Sequence, residues 1–412
     1  MASRCTRRRW LLASAAWPWA GALTPARGAA ASPSASPSPS LSAASSASAS
    51  SPVPPSASSV RPDRVLSFPR DFGAHPDTRT EWWYATGWLS AGDASAPTHG
   101  FQLTFFRSRT DVPASHPSRF AASQLVFAHA AVTELQAGRL RHDQRIARAG
   151  FDIAAAAEGD TRVALRGWRL DRQSLTAPAA SGTTPALLPA ASGSRYVALL
   201  ASESAGFTLD LEMATTQAVL LQGEAGFSRK GPQPDQASHY YSQPQLATRG
   251  TLTLDGRALP VRGTAWLDHE WSDTLLDPQA VGWDWIGMNL LDGSALTAFR
   301  LRRADGSSLW AGGSFRPAGG AVRSFAPDAV RFTPERRWTS AASRTEYPVR
   351  WTVETPAGRF VVNALVDAQE LDSRGSTGSI YWEGLSELLD ARGERVGLGY
   401  LEMTGYASRL RL

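Results

Sequence analysis

The feature of this 412-residue chain that most restricts its fold is a strict alternation of apolar and polar residues in short segments. Residues 207–213 (FTLDLEM) and 101–105 (FQLTF) both follow this pattern. A period of two residues is typical of β-strands with one buried face, whereas an amphipathic helix has a period near 3.6. Because long helical patterns are scarce, the sequence predicts an all-β fold.

Turn signals separate the alternating segments. Asp-Gly pairs at 255–256, 292–293 and 305–306 stand where two-residue hairpin turns prefer them. They predict antiparallel hairpins, one of which joins residues 251–254 to residues 257–261. The chain also has fifteen tryptophans, and small β-barrels that hold one apolar ligand need such interior bulk. The pattern therefore favours sandwiches or barrels.

The N-terminal segment has the organisation of an export signal. A basic start is followed by an uncharged apolar stretch, residues 11–23, and then by small residues suited to a cleavage site. The stretch is shorter than the roughly 18–20 apolar residues that a membrane span needs. The pair Arg7-Arg8 favours the twin-arginine route over an ordinary Sec signal. We assign residues 1–31 to a signal peptide and expect a periplasmic or secreted protein without a transmembrane segment in its mature part.

Composition changes after the signal. A segment rich in Ser, Ala and Pro, assigned to residues 32–63, cannot bury enough apolar surface to fold and is predicted to be a disordered linker. The remaining chain is long enough for two domains. The net charge of +5 comes from five arginines in residues 1–60, so the mature part is neutral and gives no indication of nucleic-acid binding. The single cysteine, Cys5, lies in the signal, which leaves the mature chain without disulfides.

Five segments combine aromatic residues with a carboxylate or an imidazole. They are His75-Pro76-Asp77 with Glu81-Trp82-Trp83-Tyr84, then Tyr240-Tyr241-Ser242, Asp268-His269-Glu270-Trp271, Gly282-Trp283-Asp284-Trp285, and Tyr381-Trp382-Glu383 with Gly399-Tyr400-Leu401-Glu402-Met403-Thr404-Gly405-Tyr406.

A carboxyl group surrounded by indoles is desolvated, so its pKa rises and it can act as an acid near neutral pH. Aromatic faces can then stabilise a developing cation. If residues 268–271 are extended, Asp268 and Glu270 share one face of the strand, and His269 and Trp271 share the other. By the same parity, Asp284 points away from its flanking tryptophans.

Structural interpretations compete with these functional ones. Alternate aromatic residues usually form a barrel core, and a buried carboxylate often pairs with an arginine. A metal site at residues 268–270 is not favoured, because adjacent side chains on a strand diverge and no metal-ligand spacing is present. The Gly-x-Ser-x-Gly element of serine hydrolases is absent. Tryptophan platforms with paired carboxylates also serve glycans, which we rank last.

Taken together, the five segments resemble the AttH and carotenoid 1,2-hydratase family, and more closely its secreted branch. The resemblance spans nearly all of residues 66–407 and implies two lipocalin-like antiparallel β-barrels in tandem. We place these domains at residues 64–248 and 249–412. It also implies cofactor-free addition of water to a terminal double bond of an isoprenoid, with an aspartate as proton donor.

The resemblance further implies site residues. His269 and Trp271 match the functional His-x-Trp pair of the family, while Asp268 and Asp284 are both candidates for the acid. The candidate ligand-binding residues are Glu81, Trp82, Trp83, Tyr84, Tyr240, Tyr241, Trp283, Trp285 and Trp382. No metal or other cofactor is expected.

Two hypotheses of different classes follow. The first is a hydro-lyase that acts on a long isoprenoid chain. The second is a non-enzymatic periplasmic carrier of a lipid or isoprenoid, working with an ABC-type transporter, which the export signal and a ligand-holding barrel would suit. A bound molecule that gains one water would favour the enzyme, and an unchanged lipid would favour the carrier.

The twin-arginine assignment is testable by replacing Arg7 and Arg8 together with lysines. Because the twin-arginine route requires the arginine pair, we expect processing and export of the protein to fall by about 10-fold or more. Fractionation of cells and the mobility of the mature chain on gels would measure both. Unchanged export of the double variant would support the Sec route instead.

Overall fold

The computed structural model describes residues 60–113, 115–175, 193–274 and 276–410. The predicted signal peptide, and all of the predicted linker except residues 60–63, lie outside the described residues. Within them the chain forms 23 β-strands and two single-turn 3-10 helices, at Arg70–Phe72 and Pro327–Ala329, and no α-helix. The prediction of an all-β fold is therefore confirmed.

The first antiparallel sheet has 13 strands, which occupy the chain as far as Thr274. They are β1 (Thr80–Ala91), β2 (His99–Arg109), β3 (Gln124–Glu134), β4 (Arg139–Arg148), β5 (Ala154–Ala156), β6 (Arg162–Leu165), β7 (Trp168–Leu175), β8 (Gly193–Ser202), β9 (Phe207–Ala214), β10 (Leu220–Leu221), β11 (Phe227–Arg229), β12 (Ala237–Leu254) and β13 (Arg257–Thr274).

Hydrogen bonds join these strands in the order β4-β3-β2-β1-β13-β12-β9-β8-β7-β6-β5, and β10 and β11 pair with β12. The two ends of the order approach each other, with β4 lying against β6, so the sheet is a nearly closed barrel. Arg145 on β4 strengthens this approach by donating a hydrogen bond of 2.7 Å to the carbonyl of Ala201.

The second antiparallel sheet has ten strands. They are β14 (Gly282–Leu290), β15 (Ala295–Arg302), β16 (Ser308–Arg316), β17 (Arg323–Ser324), β18 (Arg331–Thr339), β19 (Glu346–Thr355), β20 (Gly358–Ala364), β21 (Glu370–Ser373), β22 (Ser379–Leu389) and β23 (Arg395–Met403). Their order is β17-β16-β15-β14-β23-β22-β20-β19-β18, and β21 pairs with β22.

The change from the first sheet to the second falls between Thr274 and Gly282. The sequence-based division between residues 248 and 249 instead lies inside β12. The reason is the hairpin of β12 and β13, two strands of 18 residues each that both belong to the first sheet. A turn signal in the sequence marks the end of a strand, but it does not show which sheet the next strand joins.

The three predicted Asp-Gly hairpins are confirmed, but only the first has a two-residue turn, since four residues separate β14 from β15 and five separate β15 from β16. They connect β12 to β13, β14 to β15, and β15 to β16. In the first of them Asp255 has φ 48° and Gly256 has φ 83°. Positive φ at both central residues matches the right-handed twist of the paired strands, which is why aspartate and glycine are preferred there.

Three large apolar clusters and one small one, of Ala131, Leu371 and Tyr381, organise the interior. One fills the first barrel, with Trp83, Trp168, Tyr241 and Trp271 among its largest members. A second packs against the second sheet around Trp351, Trp382 and Tyr347. The third lies where the two sheets meet and draws on both, from Tyr84 and Trp266 to Trp285, Phe299, Leu385 and Tyr400. This third cluster surrounds the candidate site.

No helix in the described part of the chain is long and apolar enough to cross a bilayer.

Arg141 provides a test of barrel closure. Its buried guanidinium bonds Asp255 at 2.6 and 2.7 Å, the carbonyls of Ala205 and Gly206 at 3.2 Å, and Glu134 at 2.7 Å. We expect Arg141→Ala to lower the free energy of unfolding by about 1–3 kcal/mol, because three separate segments of the chain lose the charged donor that links them.

Arg139→Ala is the matched control, since the exposed Arg139 lies on the same edge strand as Arg141 and also bonds Glu134. Its loss should cost less than about 1 kcal/mol. Urea denaturation would measure both variants, and equal losses would contradict the closing role of Arg141.

Candidate active site

A cavity of about 270 Å³ lies between the two sheets. Its walls come from β1, β2, β3, β12 and β13 on one side and from β14, β15, β22 and β23 on the other. The lining is mostly apolar, and its large aromatic members are Trp82, Tyr84, Phe106, Phe127, Tyr240, Trp283, Trp285, Phe299 and Tyr381. A cavity with such walls and a few polar groups is the usual form of a small-molecule site.

Gly287 allows one of these aromatic walls to form. A Cβ atom at this position would lie 2.3 Å from Cη2 of Trp285, closer than nonbonded carbon atoms approach each other. The Trp285 indole therefore packs directly over the backbone of its own strand. It also forms an edge contact with Trp266, with ring centroids 6.3 Å apart.

The cavity brings together carboxyl groups from both sheets. Asp268 and Glu270 on β13 face Glu383 on β22 and Glu402 on β23. The predicted parity of residues 268–271 is confirmed, because Asp268 and Glu270 line the cavity while His269 and Trp271 lie on the other face of the strand. The first sheet thus presents an acidic edge to a mostly aromatic space.

Asp268 is held by three donors. Its Oδ1 accepts hydrogen bonds from the Ser242 hydroxyl at 2.5 Å and the Trp266 indole at 2.7 Å, and its Oδ2 accepts one from the Tyr240 hydroxyl at 2.7 Å. Burial raises the pKa of Asp268 to about 7, although these three hydrogen bonds oppose the rise. A carboxyl group with this pKa exists in both protonation states at neutral pH, which suits a general acid.

Glu383 and Glu402 lie directly opposite each other on adjacent antiparallel strands. Burial raises the pKa of Glu402 to about 8, and the charges of Asp268 and Glu270 add to this rise. Burial and the neighbouring Glu402 raise the pKa of Glu383 well above its usual value. Because two carboxylates this close repel each other, the pair retains a proton near neutral pH.

Glu270 differs from these carboxyl groups because it has a counter-ion. Its Oε1 lies 2.9 Å from Nζ of Lys230 and accepts a hydrogen bond of 2.5 Å from the Ser238 hydroxyl. Lys230 is the only lysine in the chain, and its side chain is buried in the cavity wall. An ionised carboxylate therefore lies on the same face of β13 as Asp268.

The opposite face of β13 carries a buried polar chain inside the first barrel. His75 bonds Asp71 at 3.0 Å and Glu81 at 2.7 Å, Glu81 bonds His269 at 2.9 Å, and His269 bonds the Tyr241 hydroxyl at 3.0 Å. Burial alone would raise the pKa of Glu81, but hydrogen bonds from the two histidines hold it below its usual value. Burial lowers the pKa of His269 to about 4.

Within the described residues, one group of side chains has donor atoms close enough for a single metal ion: His75, Glu81 and His269, all within 4.8 Å. Their contacts of 2.7 and 2.9 Å have hydrogen-bond lengths. The second oxygen of Glu81 accepts a hydrogen bond of 2.7 Å from Arg107. The arrangement is thus satisfied as a hydrogen-bonded network.

The sequence-predicted site residues fall into three places. Those in the cavity lining are Glu81, Trp82, Tyr84, Tyr240, Asp268, Trp283 and Trp285. Those in the core of the first barrel are Trp83, Tyr241, His269 and Trp271. Trp382 lies in the core of the second sheet, where its indole donates to the Asp367 carbonyl.

Asp284, the other candidate acid, lies away from the cavity. Its Oδ2 accepts a hydrogen bond of 2.7 Å from Arg300 and its Oδ1 one of 2.9 Å from the Tyr406 hydroxyl. Trp283 and Trp285, its neighbours in sequence, do line the cavity, as the strand parity predicted. The surroundings of Asp284 are those of a structural ion pair.

Sequence reasoning did not single out Glu383, Glu402 or Lys230 as site residues. The sequence did contain a pattern that indicates Glu383, because Tyr381 and Glu383 are alternate residues of one strand, and both line the cavity. A single lysine in a chain with 42 basic residues was also visible. Which of these residues meet across the cavity depends on how the two sheets pack, and no local pattern encodes that.

The raised pKa of Glu402 predicts a pH dependence of stability. Between the unfolded value near 4.5 and the folded value of about 8, the folded protein binds a proton that the unfolded chain does not. Stability therefore falls as the pH rises through this range and levels off above it. From pH 7 to pH 9 we expect Glu402 to account for a loss on the order of 1 kcal/mol. Asp268 and Glu383, whose pKa values burial also raises, add to the total loss, so Glu402→Gln should reduce the pH dependence of stability without removing it.

Urea denaturation at the two pH values would measure this loss. The exposed Glu203→Gln substitution is the control and should leave the slope unchanged. Histidines contribute little in this range, because unfolded histidine titrates near pH 6.5. If the unfolding free energy of Glu402→Gln changed with pH as much as that of the unaltered protein, the raised pKa assigned to Glu402 would be contradicted.

Comparison with known proteins identifies the family of the chain. Proteins with curated descriptions provide no match. A crystal structure of a candidate AttH protein from Nitrosomonas europaea is 45% identical, covers 84% of this chain and 99% of its own, and superposes with a TM-score of 0.73. Kievitone hydratase from Nectria haematococca is 16% identical, covers 84% of this chain and 94% of its own, and superposes with a TM-score of 0.60, which shows a shared fold. The AttH-like family matches residues 59–406, and the chain belongs to that family.

Proposed function

We propose that this protein binds an apolar small molecule, a lipid or an isoprenoid, in the cavity between its sheets and adds water to a carbon–carbon double bond by acid catalysis. The observation that carries the proposal is Asp268, a buried carboxyl group in an aromatic-lined cavity with a pKa of about 7. A fold neighbour is named as a hydratase, which makes the addition of water the first reaction to test.

The reaction assigns two carboxyl groups to two roles. Asp268 transfers its proton to one carbon of the double bond, and the other carbon becomes a cation. The oxygen of a water molecule bonds to that cation, and the proton that this water then loses passes to Glu270. The product is an alcohol, and solvent returns the proton from Glu270 to Asp268.

The surroundings of the two groups support these roles. The Tyr240 hydroxyl lies 2.7 Å from Asp268 and lines the cavity, so the acidic proton can be shared with it at the cavity surface. Glu270 is ion-paired with Lys230 and is therefore available as a proton acceptor. Trp82 and Trp285 line the same space, and aromatic rings can stabilise positive charge.

A carrier function is the second candidate. The apolar lining would hold a lipid whether or not a reaction follows. In this case the protein would work in the periplasm and pass its ligand to an ABC-type transporter. Export through the twin-arginine signal at residues 1–31 is part of both proposals. Replacement of Arg7 and Arg8 by lysines tests it.

The test incubates the mature protein with an extract of host lipids and isoprenoids in water labelled with heavy oxygen. Mass spectrometry follows the bound and free fractions. We expect a product heavier than its precursor by one labelled water. Retention of an unmodified lipid would support the carrier, and the absence of any retained or altered molecule would overturn both proposals.

Substitutions distinguish the two acids that the sequence left open. Asp268→Asn should reduce hydration by about 100-fold or more, because general acids contribute factors of 10²–10⁴, while the bound fraction of the ligand persists. Asp284→Asn, on the face of β14 that points away from the cavity, should retain turnover in proportion to its folded fraction. The reverse pattern would assign the acid to Asp284 and exclude the mechanism through Asp268.

A further inference from the structure

The cavity contains more carboxyl groups than positive charges. Of the acidic side chains near it, Glu270 has a counter-ion in Lys230 at 2.9 Å, and Glu81, which pairs with Arg107 at 2.7 Å, belongs to the polar chain on the barrel side of the sheet. The other three, Asp268, Glu383 and Glu402, have no ion pair with any described residue. An apolar ligand alone would gain nothing from this excess.

Two polar atoms at the same place have no hydrogen bond of ordinary geometry. The hydroxyl of Tyr84 and Oε1 of Glu383 are buried and belong to residues that line the cavity, and the two side chains interact with each other without reaching hydrogen-bond geometry. Only 6% of Tyr84 and 3% of Glu383 are exposed. Buried polar groups are rarely left unpaired, so this end of the cavity is suited to a ligand that carries charge or polarity.

The cavity wall already accommodates one ammonium group. Nζ of Lys230 lies 4.6 Å from the ring centroid of Tyr240 and 4.4 Å from that of Phe299, in addition to its ion pair with Glu270. Aromatic faces and a carboxylate are the two elements that bind cationic nitrogen in proteins. The same elements continue around Glu383 and Glu402, where Tyr84 and Trp285 are the aromatic neighbours.

We propose that the cavity selects ligands that carry a positive charge on an apolar body, with a protonated or quaternary amine as the chemical class. The inference rests on the proposed function, because an ammonium group occupies the place of the cation that forms during hydration. An amine would then act as a ligand or as an inhibitor of the same site, in preference to a neutral or anionic molecule of the same length.

The energetics favour this selection near neutral pH. Asp268 and Glu402, with pKa values of about 7 and 8, need little free energy to ionise there. A ligand cation supplies the counter-charge that the buried carboxylates lack. Binding should therefore release protons, and affinity should increase from pH 6 to pH 9.

The experiment compares three probes that share one chain length and differ in charge: octyltrimethylammonium, octanol and octanoate. Isothermal titration calorimetry on the mature protein at pH 8 would measure their affinities. We expect the cation to bind at least about 10-fold more tightly than octanol, and octanoate to bind most weakly. Titration in two buffers with different ionisation enthalpies would detect the released protons.

Glu383→Gln is the matched substitution, because it keeps the shape of the side chain and removes its charge. It should weaken octyltrimethylammonium binding by about 5-fold or more and leave octanol binding unchanged. Glu203→Gln, on the exposed surface, is the control for overall charge. Thermal unfolding would confirm that both variants are folded.

The outcomes separate this inference from the proposed function. If octanol binds as well as the cation, or if Glu383→Gln leaves the preference unchanged, the charge selection is wrong while an apolar site remains. If none of the three probes binds, both the inference and the apolar-ligand function are wrong. Preferential binding of the cation, reduced by Glu383→Gln but not by Glu203→Gln, would establish the inference.

Discussion

The structure depends on the way β13 separates two kinds of polar group. Consecutive side chains on a strand point to opposite faces, so Asp268 and Glu270 face the cavity while His269 and Trp271 face the interior of the first barrel. The strand is central in its sheet and hydrogen-bonded to both neighbours. A shift of its register by one residue would exchange the two sets.

The two faces of β13 differ in how their buried carboxyl groups are stabilised. Inside the barrel, Glu81 is surrounded by His75, His269 and Arg107, and its pKa falls despite complete burial. In the cavity, burial without counter-ions raises the pKa of Asp268 and Glu402. One network is therefore satisfied and structural in character, while the other holds protons that can be transferred.

The family assignment and the site geometry support different statements. The 45% identity to a candidate AttH protein shows the family, and the superposition on a hydratase at 16% identity shows the fold. Neither identifies the molecule that the cavity holds. The choice between catalyst and carrier rests on the chemistry of Asp268, Glu270 and their neighbours, and on the experiments above.

Much of this protein follows from its sequence alone. Alternation with a period of two predicted the strands, the Asp-Gly pairs predicted three hairpins, and strand parity predicted which neighbours of His269 share a face, because all three depend on geometry within a few residues. The sheet boundary after Thr274, the opposition of Glu383 and Glu402 to Asp268, and the position of Asp284 against Arg300 were decided only by tertiary structure. They depend on contacts between distant segments, and desolvation, which sets the acidity of the cavity, exists only after those segments have packed.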